Sequence, residues 1–340
     1  MSRTFDVAVV GATGAVGETM ISILEERSFP VGELHALASA DSAGKQVSFC
    51  GRQVRVRDLA EFDFSRVQLA LFSAGGAVSR EYAPLAASAG CVVVDNSSEF
   101  RYDDDVPLVI AEVNPEALGG FAARNIVANP NCSTMQMIVA LAPIHKALGI
   151  ERITVATYQS VSGAGRRGMQ ELAAQTTALL NLKPVSVDAF PDQIAFNVIP
   201  HIDSFQENGY TREEMKLVWE THKILDDPDI AVSPTAVRVP VFYGHSEAVY
   251  LETRDAAELE TIRALLESAP GVQVIDDPVG QLYPTPVKHA TGKDPVFVGR
   301  IRRDLSHPRG FNLWIVADNV RKGAALNAVQ LAELLVNHHL

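Results

Sequence analysis

Cysteine is scarce in this chain of 340 residues: there are three, Cys50, Cys91 and Cys132. An odd number at wide spacing is no disulfide framework, and no two stand at zinc-ligand spacing, so no metal site is expected. Reduced thiols fit a reducing compartment, and a cytoplasmic protein is the expectation. Long apolar runs are missing, which excludes a bilayer-spanning helix. Met1–Asp6 lacks the cationic-then-apolar pattern of a secretory leader, so no membrane partner is expected. Basic clusters are also missing. The 41 acidic and 29 basic residues give a formal net charge of −12, a balance that argues against nucleic-acid binding. What remains is an ordinary globular composition, 47% apolar and 21% charged, in a chain whose length suits two domains. No internal repeat or low-complexity segment stands out.

The apolar patterning alternates strand and helix through the first half. Val7–Val10 is a β-branched run, and a glycine-rich turn follows. Glu18–Arg27 then carries Met20, Ile21, Ile23 and Leu24 on one helical face. Leu34–Ala38, Leu69–Phe72, Cys91–Val94 and Ile126–Ala128 read as further strands, with a helix over Ser79–Ala89 between them. Alternation of this kind predicts a parallel sheet with helical crossovers. Ser133–Leu148 is a strongly apolar helix. Beyond Gly149 the texture changes. Ile153–Gln159, Val237–Val241, Glu247–Thr253 and Phe311–Ala317 are strand-like, with helical stretches at Gly168–Leu180 and Asp255–Ser268. The second half therefore reads as α+β with a mixed, largely antiparallel sheet. A last helix is expected over Ala324–Leu335.

Gly11-Ala12-Thr13-Gly14-Ala15-Val16-Gly17 follows a strand and opens a helix. In that context the glycines allow a tight turn, close approach to a pyrophosphate, and close packing of helix on sheet. The helix start supplies amides and a dipole suited to an anion. The second strand ends Ala38-Ser39-Ala40, without the carboxylate that holds the ribose of NAD. Ser39 leaves room for a 2′-phosphate, so NADP is the expected cofactor, with Asp41 opposing that choice and Lys45 offsetting it.

Asn129-Pro130-Asn131-Cys132-Ser133-Thr134 ends a strand in an Asn–Pro turn and starts a helix. A cysteine there is stabilised as a thiolate by the dipole and free amides. Cys50 and Cys91 suit structural roles better. A thiolate beside a dinucleotide site suggests attack on a carbonyl, hydride transfer and a thioester. Such chemistry needs an acid/base, usually histidine. Of nine histidines, His245 is the best placed, after Gly244 at a strand and downstream of Arg238.

Taken in order, the Gly11–Gly17 loop, Asn129–Thr134, Tyr158–Gly165, Glu213-Glu214-Met215-Lys216, Arg238–Pro240 with Gly244-His245-Ser246, and Asp318–Ala324 resemble the aspartate-semialdehyde dehydrogenase family over essentially the whole chain. The resemblance implies an N-terminal Rossmann-like NADP-binding domain over residues 1–130, joined by the C-terminal helix 320–340. It implies a catalytic and dimerisation domain over 131–319, and a homodimer. It implies Cys132 as acyl-thioester nucleophile, His245 as acid/base and Gln159 as orienting residue. Arg238 would hold the substrate carboxylate, Glu213 its ammonium, and Arg101 and Lys216 its phosphate. Gly11, Thr13, Gly14, Ala15, Val16, Ser39, Ala40, Ser162, Gly163 and Asn319 would contact NADP. The reaction implied is NADPH-dependent reductive dephosphorylation of aspartyl 4-phosphate to aspartate 4-semialdehyde, on the route to lysine through diaminopimelate, methionine and threonine.

Taken alone, several of these residues have plainer readings. Glu213, Glu214 and Lys216 make an ordinary charged helix face. Arg101 could serve a surface ion pair, and Asp318-Asn319 a turn. Two rival functions are an N-acetyl-γ-glutamyl-phosphate reductase and a non-catalytic nucleotide-binding paralogue. Cys132 with His245 argues against the second. Asn129–Thr134, Gln159 and the Arg238–His245 spacing argue against the first.

Overall fold

A computed structural model describes residues 3–340. It divides into two compact units. One runs to Asn131 and takes up again at Ala324–Leu340; the other is Cys132–Gly323.

The first unit is built from β1 (Phe5–Val10), α1 (Ala15–Glu26), β2 (Val31–Ala38), a hairpin of β3 (Gln46–Phe49) and β4 (Arg52–Arg55), β5 (Arg57–Asp58), β6 (Leu69–Phe72), α2 (Gly76–Ser88), β7 (Val92–Asp95) and β8 (Ile126–Ala128). Six strands form a wholly parallel sheet in the order β5-β2-β1-β6-β7-β8. Val7–Val10, Leu69–Phe72 and Val92–Val94 are buried along their whole length, which is why they read as unbroken apolar runs. Met20, Ile23 and Leu24 of α1 share a core with Val329, Leu331 and Leu335 of the C-terminal helix Asn327–His338. Arg27 and Glu333 add a bidentate ion pair at 2.7 Å.

The chain leaves β1 for β2 on one side and returns to β6 on the other. The strand order therefore reverses at β1, and the carboxyl end of β1 is where open parallel sheets bind ligands. The expected glycine turn stands there. Gly11 has φ +84°. A Cβ on Gly17 would lie 2.2 Å from the Gly11 carbonyl oxygen, so α1 can sit on the turn only with glycine at that position.

The second unit comprises α3 (Cys132–Leu148), β9 (Ile150–Gln159), α4 (Gly165–Leu180), α5 (Arg212–Leu225), β10 (Ala231–Arg238), β11 (His245–Thr253), α6 (Leu259–Glu267), β12 (Val272–Val274), β13 (Val296–Arg303) and β14 (Gly310–Ala317). Its sheet has the order β10-β9-β11-β14-β13-β12. The three inner pairings are antiparallel and the two outer ones parallel. The helix α3 lies across the centre of one face, with α5 beside it over β10 and α6 beside it over β12 and β13. A Thr211–Glu214 capping box starts α5, and Glu214 also accepts the Ala236 N–H at 2.9 Å, tying that helix to β10.

Three expectations move. The strand expected over Val237–Val241 runs over Ala231–Arg238 instead. Pro234 obscures it in the sequence, and its edge position tolerates the missing N–H. The chain leaves the sheet at Val239, where the Val241 N–H turns back to the Val239 oxygen around Pro240. The helix expected over Asp255–Ser268 shortens to Leu259–Glu267. The last helix does not begin as an α-helix at Ala324: a π-helical turn occupies Arg321–Leu326 and regular helix follows from Asn327. The strand β13 and the β3–β4 hairpin carry no clear signal in the sequence. Among the described residues no helix is long and apolar enough to cross a membrane.

Two buried polar side chains lie between α3 and the sheet. Glu247 of β11 is fully buried, and its carboxyl is raised well above the usual carboxylate range by burial, with the buried Gln136 amide of α3 facing it. A raised acid binds its proton more tightly in the folded state. Its contribution is complete below the unfolded value of about 4.3 and is lost as pH rises toward the folded value. Glu247→Gln is therefore expected to gain stability over the parent as pH is raised from about 5 to about 8. Paired melting curves across that range measure this, and a stability difference independent of pH would contradict it.

Candidate active site

Cys132 is the first residue of α3, and His245 is the first residue of β11. Their side chains meet, with Sγ 3.3 Å from Nε2. The expected thiol–imidazole pair is therefore assembled. Cys50 and Cys91 take no part. Cys50 is exposed in a turn, and Cys91 is buried, its thiol pushed up to about 12 by desolvation.

The remaining residues of this unit close around the pair. Gln159 ends β9 and is buried. Its Nε2 donates to Glu213 at 3.0 Å, and its Oε1 accepts from Thr157 at 3.1 Å. Glu213 lies in the first turn of α5 and pairs with Lys216, three residues on, at 2.9 Å. Lys216 reaches Asp203 at the same distance. Burial opposes the lysine's charge, but the two carboxylates outweigh it and raise its pKa. Arg238 ends β10, is buried, and donates to the Ser160 carbonyl at 2.8 Å. His245 is fully buried, and desolvation together with the Arg238 cation lowers it to about 3, so the ring is neutral at ordinary pH.

Asn319 organises the floor. Its Oδ1 accepts the Gly244 N–H at 3.0 Å and the hydroxyls of Ser160 and Ser162 at 3.0 and 3.1 Å. Two glycines make close approaches here. A Cβ on Gly163 would lie 2.8 Å from Nη1 of Arg238, and one on Gly323 would lie 2.8 Å from the Cβ of Cys132.

In the other unit, a cleft of about 580 Å³ opens at the carboxyl end of β1, lined by Gly11, Thr13, Gly14, Ser39 and Ala40 among others. Gly14 caps α1 without a side-chain hydrogen bond, so no side chain competes for the helix-start amides. Ser39, Ala40 and Asp58 border the cleft; Asp41 is exposed and not among the lining residues. Arg101 also belongs to this unit, buried, with Nη2 donating to the Asn96 carbonyl at 3.0 Å. It is not the surface residue that its acidic neighbours suggest.

Sequence reasoning missed Ser160, Thr157 and Asp203. Ser160 directly follows Gln159, and that adjacency was the available signal. Nothing local pointed to Asp203, whose partner Lys216 lies thirteen residues away.

A nucleotide-type parallel sheet in one unit and, in the other, a part-buried thiol against a buried imidazole, flanked by arginine and a carboxylate, define a thiol-dependent dehydrogenase. The comparisons agree. Residues 6–121 match the semialdehyde dehydrogenase NAD-binding domain, and residues 141–322 match the semialdehyde dehydrogenase dimerisation domain. The chain is 62% identical to an aspartate-semialdehyde dehydrogenase of Legionella pneumophila, covering 100% of this chain and 98% of the relative. It is 60% identical, with a TM-score of 0.98 and full coverage of both chains, to the crystal structure of aspartate semialdehyde dehydrogenase II from Vibrio cholerae complexed with ASA. A Candida albicans aspartate semialdehyde dehydrogenase crystallised with NADP is 26% identical, with a TM-score of 0.75 over 98% of this chain and 99% of that one. The chain belongs to the semialdehyde dehydrogenase family and, within it, to the aspartate-semialdehyde dehydrogenases.

Gly323 offers a test of how tightly Cys132 is held. Gly323→Ala is expected to slow alkylation of Cys132 and turnover by roughly 10- to 100-fold, the scale set by misplacing a reacting group by about an ångström. The melting temperature, measured alongside, reports the overpacking cost of about 1–3 kcal/mol separately. Alkylation and turnover at the parent rates would show that the thiol does not depend on this contact.

Proposed function

We propose that this chain catalyses the NADPH-dependent reductive dephosphorylation of aspartyl 4-phosphate to aspartate 4-semialdehyde through a thioester on Cys132. The observation that carries the reading is the 3.3 Å contact between Cys132 and a neutral, buried His245. The full-length similarity to aspartate-semialdehyde dehydrogenases supplies the substrate.

The Cys132 thiolate attacks the acyl carbon of the acyl phosphate. A C–S bond forms, the C–O bond to phosphate breaks, and inorganic phosphate leaves with the electron pair. NADPH, when bound, supplies the hydride that reduces the acyl carbon. His245 delivers a proton to the oxygen of the resulting hemithioacetal. It takes that proton back as the C–S bond breaks, so the aldehyde leaves and the thiolate is restored.

Arg238 offers a guanidinium fork to the substrate α-carboxylate, and Glu213 a carboxylate to its ammonium. Gln159, which donates to Glu213 and lies 3.5 Å from the His245 Nε2, would orient the substrate between them. Arg101 and Lys216 would bind the phosphate.

The cofactor site fits NADP. The Gly11, Thr13, Gly14, Ala15 and Val16 segment would take the pyrophosphate at a helix start free of side-chain caps. Ser39 and Ala40 would leave room for the 2′-phosphate; the carboxylate that lines the cleft beside them, Asp58, is engaged by the Ala60 N–H at 3.1 Å. Ser162, Gly163 and Asn319 would take the nicotinamide end.

The face of the second sheet away from α3 carries Tyr158, Tyr250 and Trp314, none of them fully buried in the single chain. With the dimerisation-domain match, this face supports a homodimer. Three reduced thiols support a cytoplasmic location.

The deciding measurement follows NADPH oxidation with aspartyl 4-phosphate beside the N-acetyl-γ-glutamyl analogue. A clear preference for the aspartyl substrate is expected; equal or greater activity on the analogue would sink the substrate assignment. Cys132→Ala is expected to abolish both turnover and covalent acyl capture, and substantial residual turnover would remove the thioester.

A further inference from the structure

The acid/base ring of the proposed reaction is held at its far nitrogen by a single residue. Nδ1 of His245 receives the Ser160 backbone N–H at 3.1 Å. A peptide N–H can only donate, so Nδ1 bears its lone pair and no proton. The one proton of the neutral ring then sits on Nε2, facing Cys132 Sγ at 3.3 Å. That tautomer donates to a thiolate or an oxyanion, but its Nε2 has no lone pair with which to accept a proton.

Ser160 also presents the opposite kind of group to the same nitrogen. Its Oγ lies 3.1 Å from Nδ1. The direction of that hydroxyl is set from behind. The Gly244 N–H, again an obligate donor, fixes Oδ1 of Asn319 as the atom facing this cluster. The Ser160 hydroxyl donates to that oxygen at 3.0 Å. Its lone pairs therefore face Nδ1 and stand ready to accept an N–H from the ring.

We propose that Ser160 is a positioning residue that lets His245 change protonation state in place: its backbone N–H holds Nδ1 bare in the resting site, and its hydroxyl, anchored on Asn319, accepts the Nδ1–H of the charged ring and of the ring that has just given up its Nε2 proton. The inference rests on the proposed role of His245 and adds the device by which one buried imidazole serves as both acid and base. It balances with one proton exchanged with solvent. Nδ1 takes up that proton as the ring charges and passes its hydrogen bond to Ser160 Oγ; Nε2 gives its proton to the hemithioacetal oxygen and regains it as the C–S bond breaks, and Nδ1 then returns its proton to solvent.

The groups facing His245 from the segments packed on it are Cys132 of α3, Gln159 of β9 and Ser160 just after it, Arg238 of β10 and Glu213 of α5. The Gln159 Nε2 is 3.5 Å from the ring and is committed to Glu213, so it competes weakly. Burial and the Arg238 cation both favour the neutral ring, in keeping with a bare Nδ1 at rest. Glu213 opposes them, and the hydroxyl is the only neutral acceptor among these groups placed at Nδ1.

The test uses the full chain. With 15N-labelled histidine, and His245→Gln to assign the signal by difference, NMR of the resting protein is expected to find Nδ1 unprotonated and Nε2 protonated. A protonated Nδ1 would overturn the proposal, and this readout does not depend on any substrate. In steady-state kinetics, Ser160→Ala keeps the N–H and removes the acceptor. It is expected to lower kcat roughly tenfold, the scale of one charge-assisted hydrogen bond, with KM unchanged. Because the charged ring loses a partner, the histidine limb of the kcat–pH profile should move to lower pH, and Ser160→Thr should restore both. A parent-like kcat with an unmoved limb in Ser160→Ala would refute the role of the hydroxyl. Failure of the substrate assignment alone would leave the NMR result standing.

Discussion

The 3.3 Å contact between Cys132 and His245 joins the first residue of a buried helix to the first residue of a central strand, and much of the second unit is arranged to make that contact possible. Four residues of α-helix rise about 6 Å, and two residues of strand about 6.8 Å. A helix laid along a strand therefore brings i and i+4 of one near i and i+2 of the other. Cys132 and His245 are one rung of that ladder; Gln136 and Glu247, whose carboxyl is raised well above the usual range by burial, are the next. The second rung puts two polar groups in an apolar core, where they are costly unless they face each other. A helix that slid or rotated would separate both rungs at once, so the pairing that looks wasteful in the core resists displacement of the nucleophile.

Charge is arranged with equal economy. Arg238, Glu213, Lys216 and Asp203 alternate in sign, running from the buried Arg238 and Glu213 through the partly buried Lys216 to Asp203 at the exposed end. Alternation lets each ion be stabilised by its neighbour in a medium that solvates it poorly. His245 stands at the positive end of this series and is driven neutral rather than charged. A neutral ring beside a thiol is less strongly ion-paired than the familiar thiolate–imidazolium couple. Stabilisation of the sulfur anion then falls more heavily on the helix start and on the donated Nε2–H.

What could be read from the sequence is what local geometry dictates. The Gly11–Gly17 turn was legible because each glycine answers a steric demand within seven residues. Cys132 was legible because the Asn-Pro-Asn turn and the apolar run after it mark a helix start. The parallel sheet followed from its uninterrupted apolar strands. The features that escaped are set by register between distant strands. Ser160 meets His245 only because β11 pairs antiparallel with β9, placing Ser246 opposite Tyr158. Asp203 meets Lys216 across a loop with no periodic signal. Pro234 hid an edge strand, and the π-helical turn at Arg321–Leu326 displaced the start of the last helix. The burial of Arg101 was invisible for the same reason, since its acidic neighbours describe the sequence around it and not the fold.

The same charge series bears on how a substrate with three ionic groups could enter a site that is already neutralised. Lys216 spends two of its three N–H donors on Glu213 and Asp203. In the proposed reading, an ammonium arriving at Glu213 takes over part of that carboxylate's charge. Lys216 is then held less tightly and can turn its remaining donor to the phosphate. Arg238 spends Nη1 on the Ser160 carbonyl, which orients the guanidinium while its other donors remain for a carboxylate. Each substrate charge would therefore meet a group of opposite sign rather than add an unpaired ion to a buried space. An analogue lacking the ammonium would leave Glu213 clamped on Lys216, and it would lose the phosphate contact as well as its own. That coupling gives a physical reason why an N-acylated substrate, whose nitrogen carries no charge, suits this pocket poorly.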